Sequence, residues 1–223
     1  MNQIDDILNS EALNKLGAKL SFSQFGEDML MAHFLRHRDG FYVDVGCHDP
    51  LRYSNTAWFH LVRGWSGINI DADSESIAKF SIARPNDINL NYGVGDSASV
   101  LEFTIFGDGS QNSFDSKMVA AVSERFKVSR KVSVPVLPLR DILSEHLPAG
   151  RVIDYMNIDC EGFDEKVIDG NDWTLYSPRF LSVEVPGLRI DRVSENSIVR
   201  KLTSVGYFFR SQCYLTAIFQ RKD

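Results

Sequence analysis

Residues 41–73 read FYVDVGCHDPLRYSNTAWFHLVRGWSGINIDAD and contain two strand patterns separated by a helix pattern. FYVDV is a short β-rich run stopped by Gly46, TAWFHLVRG is typical of a short helix ending at Gly64, and SGINIDA is a second strand. A strand, a helix and a strand in this order form a unit of two parallel strands with a crossover helix. The stretch therefore predicts a parallel α/β sheet.

The same alternation continues towards the carboxyl end of the chain. Ser74 caps a predicted helix, SESIAKFSIA, and a third strand follows in INLNYGVG. Buried strands are predicted in VIDYMNID and RFLSVEV, and helices in LRDILSEHL, FDEKVIDG and ENSIVRKLTSVG. The runs YFFRSQ and YLTAIFQR are typical of an antiparallel hairpin that turns near Gln212 and Cys213. The pattern predicts a doubly wound, mostly parallel sheet that ends in this hairpin.

Two other segments complete the predicted organisation. Residues 1–40 have apolar side chains at helical spacing and form a helical cap or lid, whose second helix begins near Ser23 and Asp28 and ends at Gly40. The strands SVLEFTIF and RKVSVPV, with a polar stretch and a helix between them, form an insertion over the edge of the sheet. Residues 41–223 are then one Rossmann-like unit.

Composition and charge exclude several classes of protein. A chain of 223 residues can bury a full core as one domain, and a net charge of -6 with scattered Lys and Arg argues against a nucleic-acid binder. No apolar run approaches the ~18 residues of a membrane-spanning helix. The dispersed, odd-numbered cysteines and the lack of a visible secretory signal predict free thiols and a cytoplasmic protein. The oligomeric state is not predicted.

The turn after the first strand limits the choice of cofactor. Ligands of doubly wound sheets bind beyond the carboxyl ends of the strands, and Gly46 stands there without the further glycines that NAD or FAD needs. Asp44 precedes the turn, where its carboxylate can bind the amino group of a ligand. Asp71 ends the second strand, at the ~20-residue distance where an acid accepts hydrogen bonds from ribose hydroxyls. S-adenosylmethionine fits this pattern because it has a ribose and an ammonium but no phosphate; a turn or helix-cap role for each acid stays open.

The blocks SFSQFGEDMLM, FYVDVGCHDPLRYSNTAWFHLVRGWSGINIDAD, SFDS, VPV, IDYMNIDCEGFDEKVIDG and FLSVEV closely resemble the FkbM family of methyltransferases. They occur in the family's order from about Ser21 to about Glu184. The resemblance implies a Rossmann-like class I methyltransferase that uses S-adenosylmethionine, usually for O-methylation in pathways of polysaccharides, glycolipids and secondary metabolites. Two positions depart from the family. Asp71-Ala72 replaces the usual Glu-Pro, and Asn157 replaces the usual Lys, which leaves any role of that Lys in doubt.

Methyl transfer to a hydroxyl needs a positioned acceptor oxygen and a group that removes its proton. The catalytic candidates follow strand ends or lie in the first loop: Asp159, Glu161, Glu184 and His48. Asp159 is favoured because it begins the loop expected to face the methyl group, although a helix cap and a solvated acid would also explain Asp159 and Glu161. Asp159 with Glu184 could instead hold Mg²⁺, which prefers oxygen ligands.

The cofactor-binding candidates come from the predicted lid, the first loop and the strand ends: Gln24, Asp44, Gly46, Asn55, Thr56, Asp71, Ala72 and Asp96. The resemblance makes the segment with Gln24 a lid over the cofactor. Helix capping also explains at least one residue of the Ser54–Thr56 group. Asp96 either lies near the adenine or belongs to an ordinary turn.

The sequence therefore predicts an S-adenosylmethionine-dependent O-methyltransferase whose partner is a saccharide or a glycosylated small molecule. It predicts neither nucleic-acid binding nor membrane insertion. Two other functions stay open. One is a non-catalytic Rossmann-like binding module, and the other is a nicotinamide-dependent oxidoreductase, which the missing glycines disfavour.

Overall fold

The computed structural model describes residues 4, 6–7, 10–107, 109 and 111–222. The helices are α1 (Glu11–Lys15), α2 (Glu27–Phe34), α3 (Ala57–Arg63), α4 (Ser74–Ala83), α5 (Ser116–Ser123), α6 (Leu139–His146), α7 (Asp164–Asp169) and α8 (Ser197–Ser204), with a 3₁₀ segment at Ile190–Glu195. The strands are β1 (Phe41–Val45), β2 (Ser66–Asp71), β3 (Ile88–Asn91), β4 (Gly93–Gly95), β5 (Ser99–Phe106), β6 (Val128–Pro138), β7 (Tyr155–Ile158), β8 (Phe180–Glu184), β9 (Tyr207–Cys213) and β10 (Thr216–Arg221).

The main sheet has seven strands in the order β3-β2-β1-β7-β8-β10-β9. Strands β3, β2, β1, β7 and β8 pair in parallel, and β10 pairs antiparallel with both β8 and β9. The strand order reverses between β1 and β7, which is the place where open α/β sheets bind ligands. The mostly parallel sheet and its C-terminal hairpin are confirmed.

The two faces of the main sheet have different neighbours. On one face, apolar residues such as Val43, Met156 and Leu181 are fully buried with the apolar sides of α6, α7 and α8. On the other face, Tyr42 and Tyr155 pack with Met31 from α2, Phe59 from α3, Trp65 and Phe180 in a second cluster. Alternation of side chains along each strand puts neighbouring residues into these two clusters.

The predicted third strand, INLNYGVG, is wrong as one element. It divides at Tyr92 into β3, at the edge of the main sheet, and β4, which joins β6 and β5 in a second sheet of order β4-β6-β5. A Cβ at Gly93 would lie 2.6 Å from the Phe114 ring and 2.8 Å from the Val136 side chain, so a glycine permits this close approach. The predicted insertion strands are therefore the antiparallel pair β5 and β6, extended by β4 into a sheet of their own.

The predicted limits of the N-terminal helices also need correction. Helix α2 begins after Gly26 and ends at Phe34, before Gly40. Gly40 instead gives room to Trp65, whose ring atoms lie 2.4 Å from where a Cβ would be. Asp28 organises the chain before α2 by accepting hydrogen bonds from Ser21 and Phe22. The part of the first predicted helix that includes Leu8 lies outside the described residues.

Two turn assignments differ from the sequence prediction as well. Asp73, and not Ser74, caps α4, because its carboxylate accepts the backbone N–H of Glu75. The hairpin turns at Tyr214 and Leu215, two residues later than predicted, and Tyr214 has the positive φ of 49° that this turn requires. Among the described helices, none is both long and apolar enough to cross a bilayer.

Candidate active site

Three neighbouring strands of the main sheet carry side chains of matching character on the face towards α2 and α3. Register pairing aligns β1 with β7 and β7 with β8. We call the aligned rows rungs. The aromatic rung is Tyr42, Tyr155 and Phe180, the polar rung is Asp44, Asn157 and Ser182, and the edge rung is Gly46, Asp159 and Glu184. The polar character thus increases towards the carboxyl edge of the sheet.

Hydrogen bonds connect the polar rung across the strands. Asn157 donates to Asp44 at 3.0 Å and accepts from Ser182 at 2.7 Å and from Asn55 at 2.9 Å. Thr56 donates to the other Asp44 oxygen at 2.6 Å. Burial raises the pKa of Asp44, and the hydrogen bonds from Thr56 and Asn157 oppose that rise. The polar rung is therefore a fixed floor with the amide of Asn157 at its centre and the buried carboxyl group of Asp44 at its β1 end.

A cleft of about 1250 Å³, including open space at its mouth, lies over the edge rung. A cleft in this position lies where open α/β sheets bind their ligands. Most of the predicted site residues line it: Gln24, Asp44, Gly46, His48, Asn55, Asp71, Ala72, Asp159, Glu161 and Glu184. The structure thus brings these residues together in one cleft.

Thr56 and Asp96 are not among the described residues that line the cleft. Thr56 is fully buried beneath the loop and holds Asp44. Asp96 follows β4, where it is exposed and accepts a hydrogen bond from Ser97. The predicted cofactor contacts of these two residues therefore have no support in their positions, because Thr56 lies below the cleft and β4 belongs to the second sheet.

The turn after β1 lies very close to the end of β7 at Gly46. A Cβ there would lie 1.8 Å from the backbone oxygen of Asp159, and Gly46 also has a positive φ of 78°. Only glycine fits this conformation without strain and allows β1 and β7 to end side by side. Steric constraints thus explain why the turn after β1 has a glycine at position 46.

Asp71 lies at the end of β2 and joins two loops. Its carboxylate accepts the backbone N–H of His48 at 2.8 Å and that of Asp73 at 2.7 Å. A carboxylate has about four acceptor sites, so it can also bind a ligand in the cleft. Burial is the main cause that raises the pKa of Asp71 to about 6.

Asp159, Glu161 and Glu184 form an acidic cluster, in which one carboxylate oxygen of each lies within 4.8 Å of the others. Burial and then mutual repulsion raise the pKa of Glu161 and Glu184 to about 8, and the same causes raise the pKa of Asp159 well above its usual range. Carboxyl groups with a raised pKa exchange protons closer to neutral pH than ordinary carboxyl groups do, and in the ionised form they are the stronger bases. Three oxygen ligands at this spacing also form a set that could hold Mg²⁺.

The acidic cluster gives a prediction for stability without ligand. Glu161 and Glu184 bind protons up to about pH 8 in the folded protein but only to about 4.5 when unfolded, so the folded state holds more protons between these values. The free energy of unfolding should therefore fall as pH rises through this window. Thermal unfolding measured between about pH 5 and about pH 8 tests this, and Glu184→Gln should flatten the dependence. A wild-type melting temperature that rises with pH here would contradict the prediction.

Several residues that line the cleft are absent from the predicted set of site residues. Glu27 is 2% exposed, lines the cleft, and accepts hydrogen bonds from the Phe25 backbone and from Thr216 on β10. Gln111 and Asn112 line it from the polar stretch between β5 and β6. The repeated pattern of an aromatic, a polar and an acidic residue at every second position of β7 and β8 is the signal that could have revealed the rungs.

The sheet order, with the cleft at the switch point, is consistent with the Rossmann-like fold of methyltransferases. The chain belongs to the FkbM methyltransferase family, because the model of the methyltransferase FkbM domain matches residues 44–209. Membership implies a cofactor of the S-adenosylmethionine type. No curated protein and no solved structure gave a match.

Proposed function

We propose that this methyltransferase uses S-adenosylmethionine to methylate a hydroxyl group of a saccharide, within a glycan or a glycosylated metabolite. The observation that carries the proposal is the acidic cluster of Asp159, Glu161 and Glu184, which lies at the switch point in the same cleft as Asp71. A cleft of this kind offers both a ribose acceptor and a proton acceptor.

The residues around β1 and β2 have the chemistry to bind the cofactor. Asp71 accepts the ribose hydroxyls, and the turn at Gly46 lets the ligand approach the backbone. Asp44 is the buried carboxyl group at the cleft floor, and its ionised form suits the positive charge of the methionine part of the cofactor. The amide oxygen of Asn55 is buried without a partner among the described residues and can accept a hydrogen bond from the same part.

The acidic cluster then activates the acceptor. Bound S-adenosylmethionine supplies an electrophilic methyl group. Ionised Asp159 accepts the hydrogen of the acceptor hydroxyl and takes this proton as the oxygen bonds to the methyl carbon, while the sulfur–methyl bond of the cofactor breaks and leaves a neutral thioether. Burial, and next the nearby Glu184, raise the pKa of Asp159 and so favour this proton transfer. The same three carboxyl groups are the residues that would hold Mg²⁺, and a bound ion would supply an alternative means of lowering the pKa of the acceptor hydroxyl.

The charge of the cleft limits the class of acceptor. None of the described residues that line it is Lys or Arg, whereas six are acids. Those acids are Glu27, Asp44, Asp71, Asp159, Glu161 and Glu184. A phosphate placed there would meet acidic side chains and no Lys or Arg to pair with. The acceptor we propose is therefore neutral or positively charged, and neither a nucleic acid nor a nucleotide sugar.

A matched pair of acceptors tests this limit. An unphosphorylated sugar is expected to be methylated with a kcat/KM at least ~10-fold higher than its phosphate ester, because repulsion of ~1.4 kcal/mol or more acts on the ester. The two rates are measured with the same labelled cofactor. Equal or faster turnover of the ester would contradict the proposed acceptor class.

The function itself is tested by incubating the full chain with labelled S-adenosylmethionine and a panel of glycan and glycoside acceptors, with products identified by mass. Methyl addition to a hydroxyl supports the proposal. Calorimetry without heat for S-adenosylmethionine and S-adenosylhomocysteine would instead indicate a non-catalytic binding module. Saturable binding of NAD would favour an oxidoreductase.

A further inference from the structure

The guanidinium of Arg84 is buried beneath the cofactor cleft. Arg84 follows the last turn of α4, is 1% exposed, and stacks on Phe80. One of its terminal nitrogens donates to Pro50 O at 2.6 Å and to Ser54 Oγ at 3.1 Å. These contacts fix the loop after β1 from below, and residues 53–55 of that loop line the cleft.

The other terminal nitrogen of Arg84 bonds to two hydroxyls. It donates to Thr56 Oγ1 at 2.9 Å and to Tyr42 Oη at 3.0 Å. Thr56 donates its proton to Asp44, and Tyr42 donates its proton to Asp87. Arg84 is thus connected by hydrogen bonds to two carboxyl groups. The Thr56 hydroxyl links it to Asp44, and the Tyr42 hydroxyl links it to Asp87. Only the branch through Thr56 ends in the cleft, because Asp87 is not among the described lining residues.

We infer that Arg84 is a positioning residue for the cofactor, which holds the loop of residues 50–56 in place and fixes the Asp44 carboxylate through the Thr56 hydroxyl. The inference rests on the proposed function, because it assigns Asp44 to the positive end of S-adenosylmethionine. The inference goes beyond that function, because Arg84 lies outside the cleft and acts on Asp44 through the hydrogen bonds of Thr56.

The route through Thr56 has a consequence that packing alone would not produce. Burial raises the pKa of Asp44, whereas the Thr56 hydrogen bond and the positive charge of Arg84 lower it. Loss of the Thr56 hydroxyl therefore raises the pKa further, and Asp44 becomes neutral at a higher pH. Six titratable groups interact electrostatically with Asp44: Arg84 and Asp87 near the end of α4, Asp71 on β2, Cys47 after β1, Tyr155 on β7 and Asp159 after it. The neighbouring helices also carry His60, on α3, and Glu27, on α2.

Two variants of the full chain separate positioning from packing. Thr56→Val removes the hydroxyl on the Asp44 side of Arg84, and Tyr42→Phe removes the hydroxyl on the Asp87 side, with little change in shape. The affinity for S-adenosylmethionine is measured by calorimetry between about pH 6 and about pH 8. For Thr56→Val, the affinity should fall more steeply with decreasing pH than it does for the wild type, because Asp44 without the Thr56 hydrogen bond becomes neutral at a higher pH. Tyr42→Phe should melt at a lower temperature but keep the pH profile of the wild type.

Conservative variants complete the test. Thr56→Ser retains a hydroxyl and should restore the wild-type profile, whereas Arg84→Lys keeps the charge, loses the fork, and should weaken binding at every pH. Parallel pH profiles for Thr56→Val and the wild type would overturn the inference, even if the variant binds S-adenosylmethionine more weakly at every pH. If the wild type does not bind S-adenosylmethionine at all, the proposed function fails first, and the two failures are thereby distinguished.

Discussion

Replacing Asp159 by asparagine is expected to lower the rate of methyl transfer by ~10²–10⁴-fold while the affinity for S-adenosylmethionine stays within a few-fold of wild type. The amide keeps the size of the side chain and one acceptor oxygen, but it cannot take a proton at neutral pH. Asp159 lies in the acidic cluster and beside the turn at Gly46, so its effect should appear in the chemical step. Single-turnover rates and calorimetry on the same protein measure the two quantities separately.

The control for this substitution is Asp96→Asn, an identical change at an exposed residue outside the cleft. It should leave both the rate and the affinity unchanged. Turnover of Asp159→Asn near the wild-type value would exclude Asp159 as the base and move the assignment to Glu161, Glu184 or His48. A chelator that slows the wild-type enzyme, with recovery on added Mg²⁺, would favour the metal-bound version of the step.

Replacing Asp71 by alanine should weaken S-adenosylmethionine binding by ~10-fold or more. Hydrogen bonds to a charged group contribute ~1.5–3 kcal/mol, and the two ribose hydroxyls would lose their shared acceptor. The variant also releases the backbone N–H groups of His48 and Asp73, so the loops on both sides of the cleft lose an anchor. Calorimetry with S-adenosylmethionine measures the loss.

Asp49→Ala provides the matched control for the loop effect. Asp49 accepts the backbone N–H groups of Leu51 and Arg52 in the same loop but is not among the described residues that line the cleft. A wild-type affinity for folded Asp71→Ala would reject the ribose assignment. A loss in Asp49→Ala equal to that in Asp71→Ala would attribute the effect to the loop alone. Asp71→Glu should be tolerated, since the FkbM resemblance places Glu at this position.

The features that the sequence predicts well are local. Each strand and helix can be predicted from a short segment of sequence. The acids at the ends of β2, β7 and β8 can then be placed at the carboxyl edge of the sheet from the residue at which each strand ends. Asp96 could not be placed in this way, because the break at Tyr92 sends β4 to another sheet and its end no longer lies at the carboxyl edge. The glycines on either side of Val94 give only a weak local sign of that break.

The role of Thr56 depends on a residue that lies 28 positions further along the chain. Its position in the Ser54–Thr56 group suggests helix capping or ligand binding, and nothing nearby indicates a buried guanidinium. Arg84 stands at the end of a helix in the run ARPND, where an exposed side chain is the ordinary expectation. The hydrogen bonds of Arg84 form only when α4 packs against the sheet, so no local sequence pattern can predict them.

The alternation between rungs and apolar residues also governs how the chain avoids misfolding. A shift of β7 by one residue would turn Asn157 and Asp159 towards α6, α7 and α8, and would expose Met156 and Ile158 in the cleft. Each polar group buried without a partner would cost ~2–7 kcal/mol. Parallel strands that are distant in sequence pair slowly, so misaligned pairings have time to form. The polar residues of the site therefore make misaligned strand pairings unfavourable during folding, before any cofactor is present.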